Sequence, residues 1–558
     1  MSATPRKPSE LDLAGDGAPA ESARSERGEA ISRGDTIRSI LSNWIFLLFV
    51  IASGFILPRL IDRFRGQALL GVWDLGWTLS SLVDLAATAM ASAITPYVAR
   101  ARAREDWALL NRSLTASVVV LLLGFSGGIL GTWGFSASLR AALPDAAPEV
   151  LNAGYAVIWL LGASASVRCL FNAHHGILTG YSRYDLLNRI RVTRQVLTII
   201  LMTGLLILGF EIWTLALCDL LLELGAGVAK IGAARRLCPT LSISPRHWSR
   251  AEAGTLFRFG LQTLVQSAAR GGLYHINSLL ISRYLGSAQL AVYSRQRSLV
   301  IQLQQFVKQY SQVFISLSSD AFERRDFEAL RRHLISSVRL AMFMALPACV
   351  MLMVVGDAVV GFWMGERYIA QPVLIALAAG HVFSISQFPA FSILTGMGRH
   401  GGPAAAEAAA AILSVASGYI CLSWLKLGIL SAAISVAAPL ALFTGIALPW
   451  FACRAVGISY WGYWAQVLPG PMLAAVPIVA TALAANLIRP HDVTIRLVAT
   501  LLVGGVAWAV LLWSRGLPAS VREAITAKLT RRIGGSPRMD RRPGAKLDPR
   551  NGATGVAP

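Results

Sequence analysis

The sequence predicts an all-α polytopic membrane protein of about 14 transmembrane helices, arranged as two six-helix lobes with an accessory pair. Three observations carry that expectation. The 558 residues are 55% hydrophobic and only 15% charged, with a mean hydropathy of +0.56, too apolar for a soluble chain of this length. Apolar stretches of about 20 residues, the length that crosses a bilayer, recur almost continuously from Ile40 to Trp513. Finally, residues 61–114 match 281–334 without a gap at an offset of 220, a duplication of the kind that builds transporter folds.

In chain order, residues 1–34 hold Glu, Asp, Ser, Gly and Arg without an apolar core. They are expected to form a disordered cytoplasmic tail, neither a signal peptide nor a helix of the bundle. The helix cores then fall near 41–60, 67–97, 113–135, 149–172, 192–210, 212–233, 257–282, 288–316, 336–360, 369–395, 403–424, 427–450, 464–487 and 494–513. Two lobes, 35–237 and 253–456, flank a basic cytoplasmic linker at 238–252, which contains Pro239, Pro245 and His247. Residues 457–514 form the accessory helices, and 515–558, rich in Arg, Lys, Gly and Pro, form a basic cytoplasmic tail with a short interfacial helix near 521–532.

The repeat is specific at loop boundaries. Ile61, Arg63, Gly66, Ala68, Leu70 and Val72 fall on Ile281, Arg283, Gly286, Ala288, Leu290 and Val292; Asp106, Leu110, Arg112 and Leu114 fall on Asp326, Leu330, Arg332 and Leu334. A second echo, Ile177-Leu178-Thr179-Gly180 with Arg183, returns as Ile393-Leu394-Thr395-Gly396 with Arg399 at an offset of 216. These glycines are expected to end helices 4 and 10, with the arginines at headgroup level. Because six crossings return the chain to its starting side, the two lobes share one orientation and the pseudo-twofold runs along the membrane normal.

The net charge of +21 is explained by where the cations lie. Arg100, Arg102, Arg104 and Arg112 follow helix 2; Arg183, Arg189, Arg191 and Arg194 follow helix 4; Lys230, Arg235, Arg236, Arg246 and Arg250 follow helix 6; Arg324, Arg325, Arg331 and Arg332 follow helix 8. The intervening loops are poorer, holding Arg59, Arg63 and Arg65, or Glu366 and Arg367. Positive residues mark the cytoplasmic side, so both termini are placed in the cytoplasm and no nucleic-acid partner is invoked. Six scattered cysteines, at 169, 218, 238, 349, 421 and 453, imply neither a metal site nor a disulfide framework.

Polar side chains within hydrocarbon face a neighbour or a hydrated cavity. Helix 2 carries Asp74, Thr78, Ser81, Thr88, Ser92 and Thr95 along one face, with Asp84 beside it. Helix 7 carries Gln262, Gln266, Arg270, Tyr274 and Asn277 at helical spacing, and helix 8 carries Ser294, Ser298, Gln304, Lys308 and Gln312, with Arg295, Arg297, Gln302, Gln305 and Gln309 around them. Helices 2, 7 and 8 are therefore expected to line a lumen. Arg270, Arg295, Arg297, Lys308, Gln266, Tyr274, Asn277 and Gln304 are the candidate substrate-binding residues, since guanidinium groups suit phosphate. Asp74 and Asp84 are candidates for ion coupling or gating. A structural alternative pairs both aspartates with Arg295, Arg297 or Lys308 across the lobe interface. Asp219 and Glu223, four apart on helix 6, either face the pore or bind water near its cytoplasmic end. His275 and His381 are further proton-site candidates, whereas His174 and His175 read as interfacial. No Walker loop, zinc-binding His-Glu run, Gly-x-Ser-x-Gly elbow or aspartate-rich diphosphate motif occurs, so no cofactor is expected and a transporter is favoured over an enzyme.

The run Gly54-Phe55-Ile56-Leu57-Pro58-Arg59, leading through Gly66 into Leu70-Gly71-Val72-Trp73, followed by a basic loop and the repeat, resembles the polysaccharide transporter branch of the multidrug/oligosaccharidyl-lipid/polysaccharide (MOP) exporter superfamily. That resemblance spans about residues 35–515. It implies a V-shaped cationic cavity between two six-helix lobes, in a flippase that carries an undecaprenyl-diphosphate-linked oligosaccharide across the bacterial inner membrane. Membrane lipids would surround it, and a polysaccharide polymerase or glycosyltransferases would be its partners. Members often have twelve helices, so the accessory pair departs from the pattern; it suggests a lipid-tail groove as in the related peptidoglycan-precursor flippases. Two alternatives remain open. A cation-coupled multidrug exporter of the same superfamily would want an acidic cavity, for which Asp74 and Asp84 are the support. A membrane polysaccharide polymerase or ligase would want a large periplasmic loop, and none is evident.

Overall fold

The computed structural model describes residues 33–516 apart from 104–105, 182, 240, 400 and 489–492, together with 522, 523 and 526; side chains are further left out at 33–41, 43, 86–93, 95–97, 99–103, 251, 259–274 and 493. The tails expected at 1–34 and 515–558 lie largely outside the described residues. Within them the chain is helical, with no strand. The helices are α1 (Arg33–Arg65), α2 (Gln67–Ala103), α3 (Trp107–Ala137), α4 (Pro148–Gly180), α5 (Tyr184–Ile207) and α6 (Ile212–Leu237). A linker with one 3-10 turn leads to α7 (250–285) and α8 (287–311, continuing past Gln312 as Val313–Glu323), then to α9 (Phe327–Met364). The remainder are α10 (Gln371–Gly396), α11 (Gly401–Trp424), α12 (Gly428–Val456), α13 (Tyr460–Ile488) and α14 (Thr494–Gly516).

Among the described residues eleven helices are long and apolar enough to cross a membrane. The three long helices outside that set, α2, α7 and α8, are those to which the sequence assigns the polar lumen faces, and parts of α2 and α7 lie outside the described side chains. A polar stripe lowers the mean hydropathy of a helix that borders water on one side, so the count of fourteen crossings stays an expectation for these three.

The repeat is visible in the backbone. α1 turns into α2 at Gly66 with φ +86°, and α7 turns into α8 at Gly286 with φ +84°, a left-handed conformation that glycine adopts without a Cβ penalty. Asp106 and Asp326 cap α3 and α9, each accepting from the backbone N–H three residues on, Leu109 and Ala329, at 2.8 Å. The second echo superposes too: Arg183 N–H donates to the Leu178 carbonyl at 2.9 Å and Arg399 N–H to the Leu394 carbonyl at 2.8 Å. Gly396 does not end its helix by adopting a left-handed turn. A Cβ there would lie 2.3 Å from the Ile315 carbonyl oxygen, so this glycine lets α10 approach α8.

The lobes meet where α2 crosses α8. Gln67 donates to the Ala288 carbonyl at 3.2 Å, and a Cβ on Gly71 would sit 1.9 Å from the Ser287 carbonyl oxygen. Gly71→Ala is accordingly expected to lower the melting temperature of the detergent-solubilised protein by more than Gly66→Ala. The latter meets nothing within 4 Å and costs only its backbone strain, on the order of 1–3 kcal/mol; equal shifts would show that the α2–α8 crossing is not tight. α13 and α14 lean on α9 outside the duplicated lobes. Trp508 Nε1 donates to the Phe343 carbonyl at 2.9 Å, Arg339 donates to the Arg515 carbonyl at 2.6 Å, and Arg496 pairs with Asp357.

Candidate functional site

A cavity of about 470 Å³ lies between the lobes, lined from α1, α2, α5, α6, α7 and α8. Its walls follow from the duplication. On α2 it is lined by Asp74, Trp77, Thr78 and Ser81, and on α8 by Ser294, Arg297, Ser298 and Ile301, which are the same four positions shifted by 220. The spacing of three, one and three keeps each set on one helical face, so both copies of the helix turn the same stripe toward the cavity. The side chains have diverged: an acid, an indole and two hydroxyls on one side face two hydroxyls, a guanidinium and an isoleucine on the other.

Arg295, adjacent to this stripe, also lines the cavity. Its Nη2 donates to Asp74 Oδ1 at 2.5 Å across the lobe interface, and its guanidinium carbon lies 6.0 Å from the Trp363 ring centre. Among the described residues, Arg295 Nε and Nη1 and Asp74 Oδ2 have no hydrogen-bond partner. Arg297 Nη1 donates to Ser278 Oγ at 3.1 Å.

The charges on α5 and α6 form a second centre within the first lobe. Asp219 and Glu223 are buried, at 1% and 2% exposure, and they are not water-facing residues of a helix end. Arg168, midway along α4, pairs with Asp84, donates from Nε to Glu223 at 3.0 Å and lies 3.9 Å from Asp219. Arg194 donates to Asp219 at 2.7 Å and lies 3.0 Å from Glu223. Lys230 Nζ is 3.5 Å from Glu223, and Ser164 Oγ donates to Asp219 at 2.7 Å. Among the described residues three carboxylates thus face three cations, and their charges balance. Arg194 and Asp219 line the cavity as well, which joins the cluster to the lumen.

Of the residues expected to bind substrate, Arg295 and Arg297 reach the cavity, as does the gating candidate Asp74. Asp84 lies instead in the α4–α6 cluster. Gln304 and Lys308 are on α8 but not on the lining, where Gln302 and Gln305 stand instead; Lys308 is exposed. Asn277 is buried and donates to Ser414 Oγ at 3.0 Å, joining α7 to α11. Arg270, Gln266 and Tyr274 lie outside the described side chains. Sequence reasoning missed Arg168, the cation between Asp84, Asp219 and Glu223, and placed Arg194 among loop charges, although it sits inside α5. An arginine in the middle of an apolar helix calls for buried acids, and Asp219 and Glu223 supply them.

At the end of the bundle where α1 turns into α2, polar bonds close the lobes on each other. Asp62 accepts from Tyr368 Oη and from Arg367 Nη2, both at 2.5 Å. Arg59 donates to the Met364 carbonyl at 2.5 Å, and Trp363 Nε1 to the Phe55 carbonyl at 2.7 Å. Burial, and then the bond to Asp62, push the Tyr368 phenol above its ordinary range; the bond to Asp62 raises the Arg367 guanidinium.

Residues 152–371 match the family described as "Polysaccharide biosynthesis protein". Among solved structures, the lipid II flippase MurJ in an inward closed conformation aligns with a TM-score of 0.67 at 12% identity, over 89% of this chain and 100% of that one. The inward-facing conformation of a multidrug resistance MATE family transporter of the MOP superfamily aligns at 0.62 and 16% identity, over 75% and 95%. The chain shares the fold of these transporters. A MOP superfamily transporter from Pyrococcus furiosus, whose binding pocket is described as of reverse polarity, aligns at 0.55 and 17% identity, over 76% and 95%. No curated relative matches the chain. Two lobes around a central cavity, with a further helix pair outside them, are thus this chain's form of the MOP fold.

Proposed function

We propose that this MOP-fold protein is a flippase that carries a lipid-linked oligosaccharide diphosphate across the bacterial inner membrane. The observation that carries the reading is the charge of the lumen among the described residues: Arg194, Arg295 and Arg297 against Asp74 and Asp219, three cations to two anions. A polyanion gains from that surplus, and the Arg295 N–H groups left over by Asp74, buried in this state, would meet phosphate oxygens once the lobes part. The match of residues 152–371 to polysaccharide biosynthesis proteins and the MurJ-like fold support the glycan cargo. The cationic excess weighs against a cation exporter, because the carboxylates at Asp84, Asp219 and Glu223 are each matched by a cation. In this reading the headgroup enters from the cytoplasm, the polyprenyl tail stays in lipid, and rocking of the lobes re-exposes the headgroup outside.

The test is reconstitution into vesicles with a fluorescent farnesyl diphospho-N-acetylglucosamine, following its arrival in the opposite leaflet. Acceleration over protein-free vesicles is expected; none would overturn the reading. Growth on ethidium that requires the gene would instead establish the exporter.

The Asp62 clamp would then hold the periplasmic end shut. In a variant whose native cysteines are replaced, Asp62→Ala is expected to raise several-fold the rate at which a membrane-impermeant maleimide, added outside, labels a cysteine placed at cavity-lining Ser53. An unchanged rate would remove the clamp.

A further inference from the structure

The same stripe that carries Asp74, Thr78 and Ser81 puts Trp77 against the cavity, with 45% of its surface exposed. Trp73, one turn earlier, also lines the cavity but is buried to 7%. The two indoles lie 19° from parallel with centroids 6.3 Å apart, an offset stack that fixes the plane of Trp77 from behind. The position 220 residues further on is Arg297, on the opposite wall. The duplicated helices therefore offer an aromatic plane from one lobe and a guanidinium from the other at equivalent depth.

An apolar plane turned toward a polar lumen costs free energy until something covers it, and a diphosphate has no surface that would. A pyranose ring has both kinds of surface. Its C–H face packs on an indole, while its rim of hydroxyls needs neutral donors and acceptors, and the lining near the stripe supplies Gln195, Thr198, Ser298 and Gln305. We propose that Trp77, backed by Trp73, is the stacking platform for a sugar ring of the cargo, placed so that the diphosphate of the same molecule meets Arg295 and Arg297. This rests on the flippase reading and deepens it: the lumen has a glycan subsite in one lobe and a phosphate subsite in the other. A planar organic cation would also stack on indole, but it would have to enter a lumen of positive charge.

The experiment measures binding of two probes, farnesyl diphosphate and farnesyl diphospho-N-acetylglucosamine, to the full chain in lipid nanodiscs. Wild-type protein is expected to bind the sugar-bearing probe about tenfold more tightly, which corresponds to ~1.4 kcal/mol. Trp77→Ala should bring the two affinities together by weakening only the sugar-bearing probe, and Trp77→Phe should keep part of the preference. A Trp77→Ala protein that keeps the tenfold preference, or that loses both probes equally, overturns the platform. Wild-type protein that binds both probes alike overturns it while leaving the phosphate site standing; wild-type protein that binds neither sinks the flippase reading itself. Tetraphenylphosphonium binding that disappears in Trp77→Ala would assign the indole to cations instead.

Discussion

Arg295→Gln is expected to destabilise the protein by about 3–5 kcal/mol, because it leaves the Asp74 carboxylate in the lobe interface without its cation. Asp74→Asn strands Arg295 in turn and should also destabilise. Combining the two removes both charges and leaves two neutral amides in place of the ion pair, so the double variant should regain most of the melting temperature. That recovery would make the pair dispensable for folding once it is removed whole. Transport behaves differently if Arg295 grips phosphate: translocation of the fluorescent sugar lipid should stay at the protein-free rate in the double variant despite its recovered stability. A double variant that folds and transports like wild type would reduce Arg295 to a partner of Asp74 and take it out of the anion site.

That separation matters because the sequence offered both readings of Arg295, as a cargo ligand and as a structural partner, and geometry allows both at once. One Nη is committed to Asp74 while Nε and the other Nη are left over. A guanidinium has five N–H donors in a fixed fork, so a carboxylate on one edge still leaves an edge for phosphate.

The duplicated architecture was legible in the sequence because it is written in backbone requirements. Gly66 and Gly286 need a left-handed φ, and Asp106 and Asp326 need a helix start; such positions tolerate few residue types, so they survive divergence of the surrounding apolar residues. The lumen stripe was legible for a similar reason, since Asp74, Thr78 and Ser81 repeat at helical spacing. What escaped was angular and distant. Asp84 is ten residues beyond Asp74, far enough along α2 to have rotated toward α4, where Arg168 meets it. Arg194 follows a run of loop-like arginines in the sequence, and only the start of α5 at Tyr184 carries it to the depth of Asp219. Trp77 reads as one more apolar residue in an apolar helix until its neighbours on the stripe are known to face a cavity.

The α4–α6 charge cluster should be the most sensitive place in the molecule. Arg168 reaches Asp84, Asp219 and Glu223, so Arg168→Leu leaves three carboxylates to Arg194 and Lys230, a net charge of −1 in a buried setting. Uncompensated charge of that kind costs several kcal/mol, comparable to the whole stability of many domains, and Arg168→Leu is expected to abolish recovery of monodisperse protein from membranes. Removing an acid with it, as Arg168→Leu with Asp84→Leu, leaves Asp219 and Glu223 against Arg194 and Lys230, balanced again and packed with apolar side chains. Recovery of monodisperse protein should return. If Arg168→Leu alone is recovered like wild type, the cluster is not held by charge balance. If the double variant fails as badly as the single one, it is the reach of Arg168 to Glu223 and Asp219 that matters, and through Arg194 that loss would propagate to the wall of the cavity.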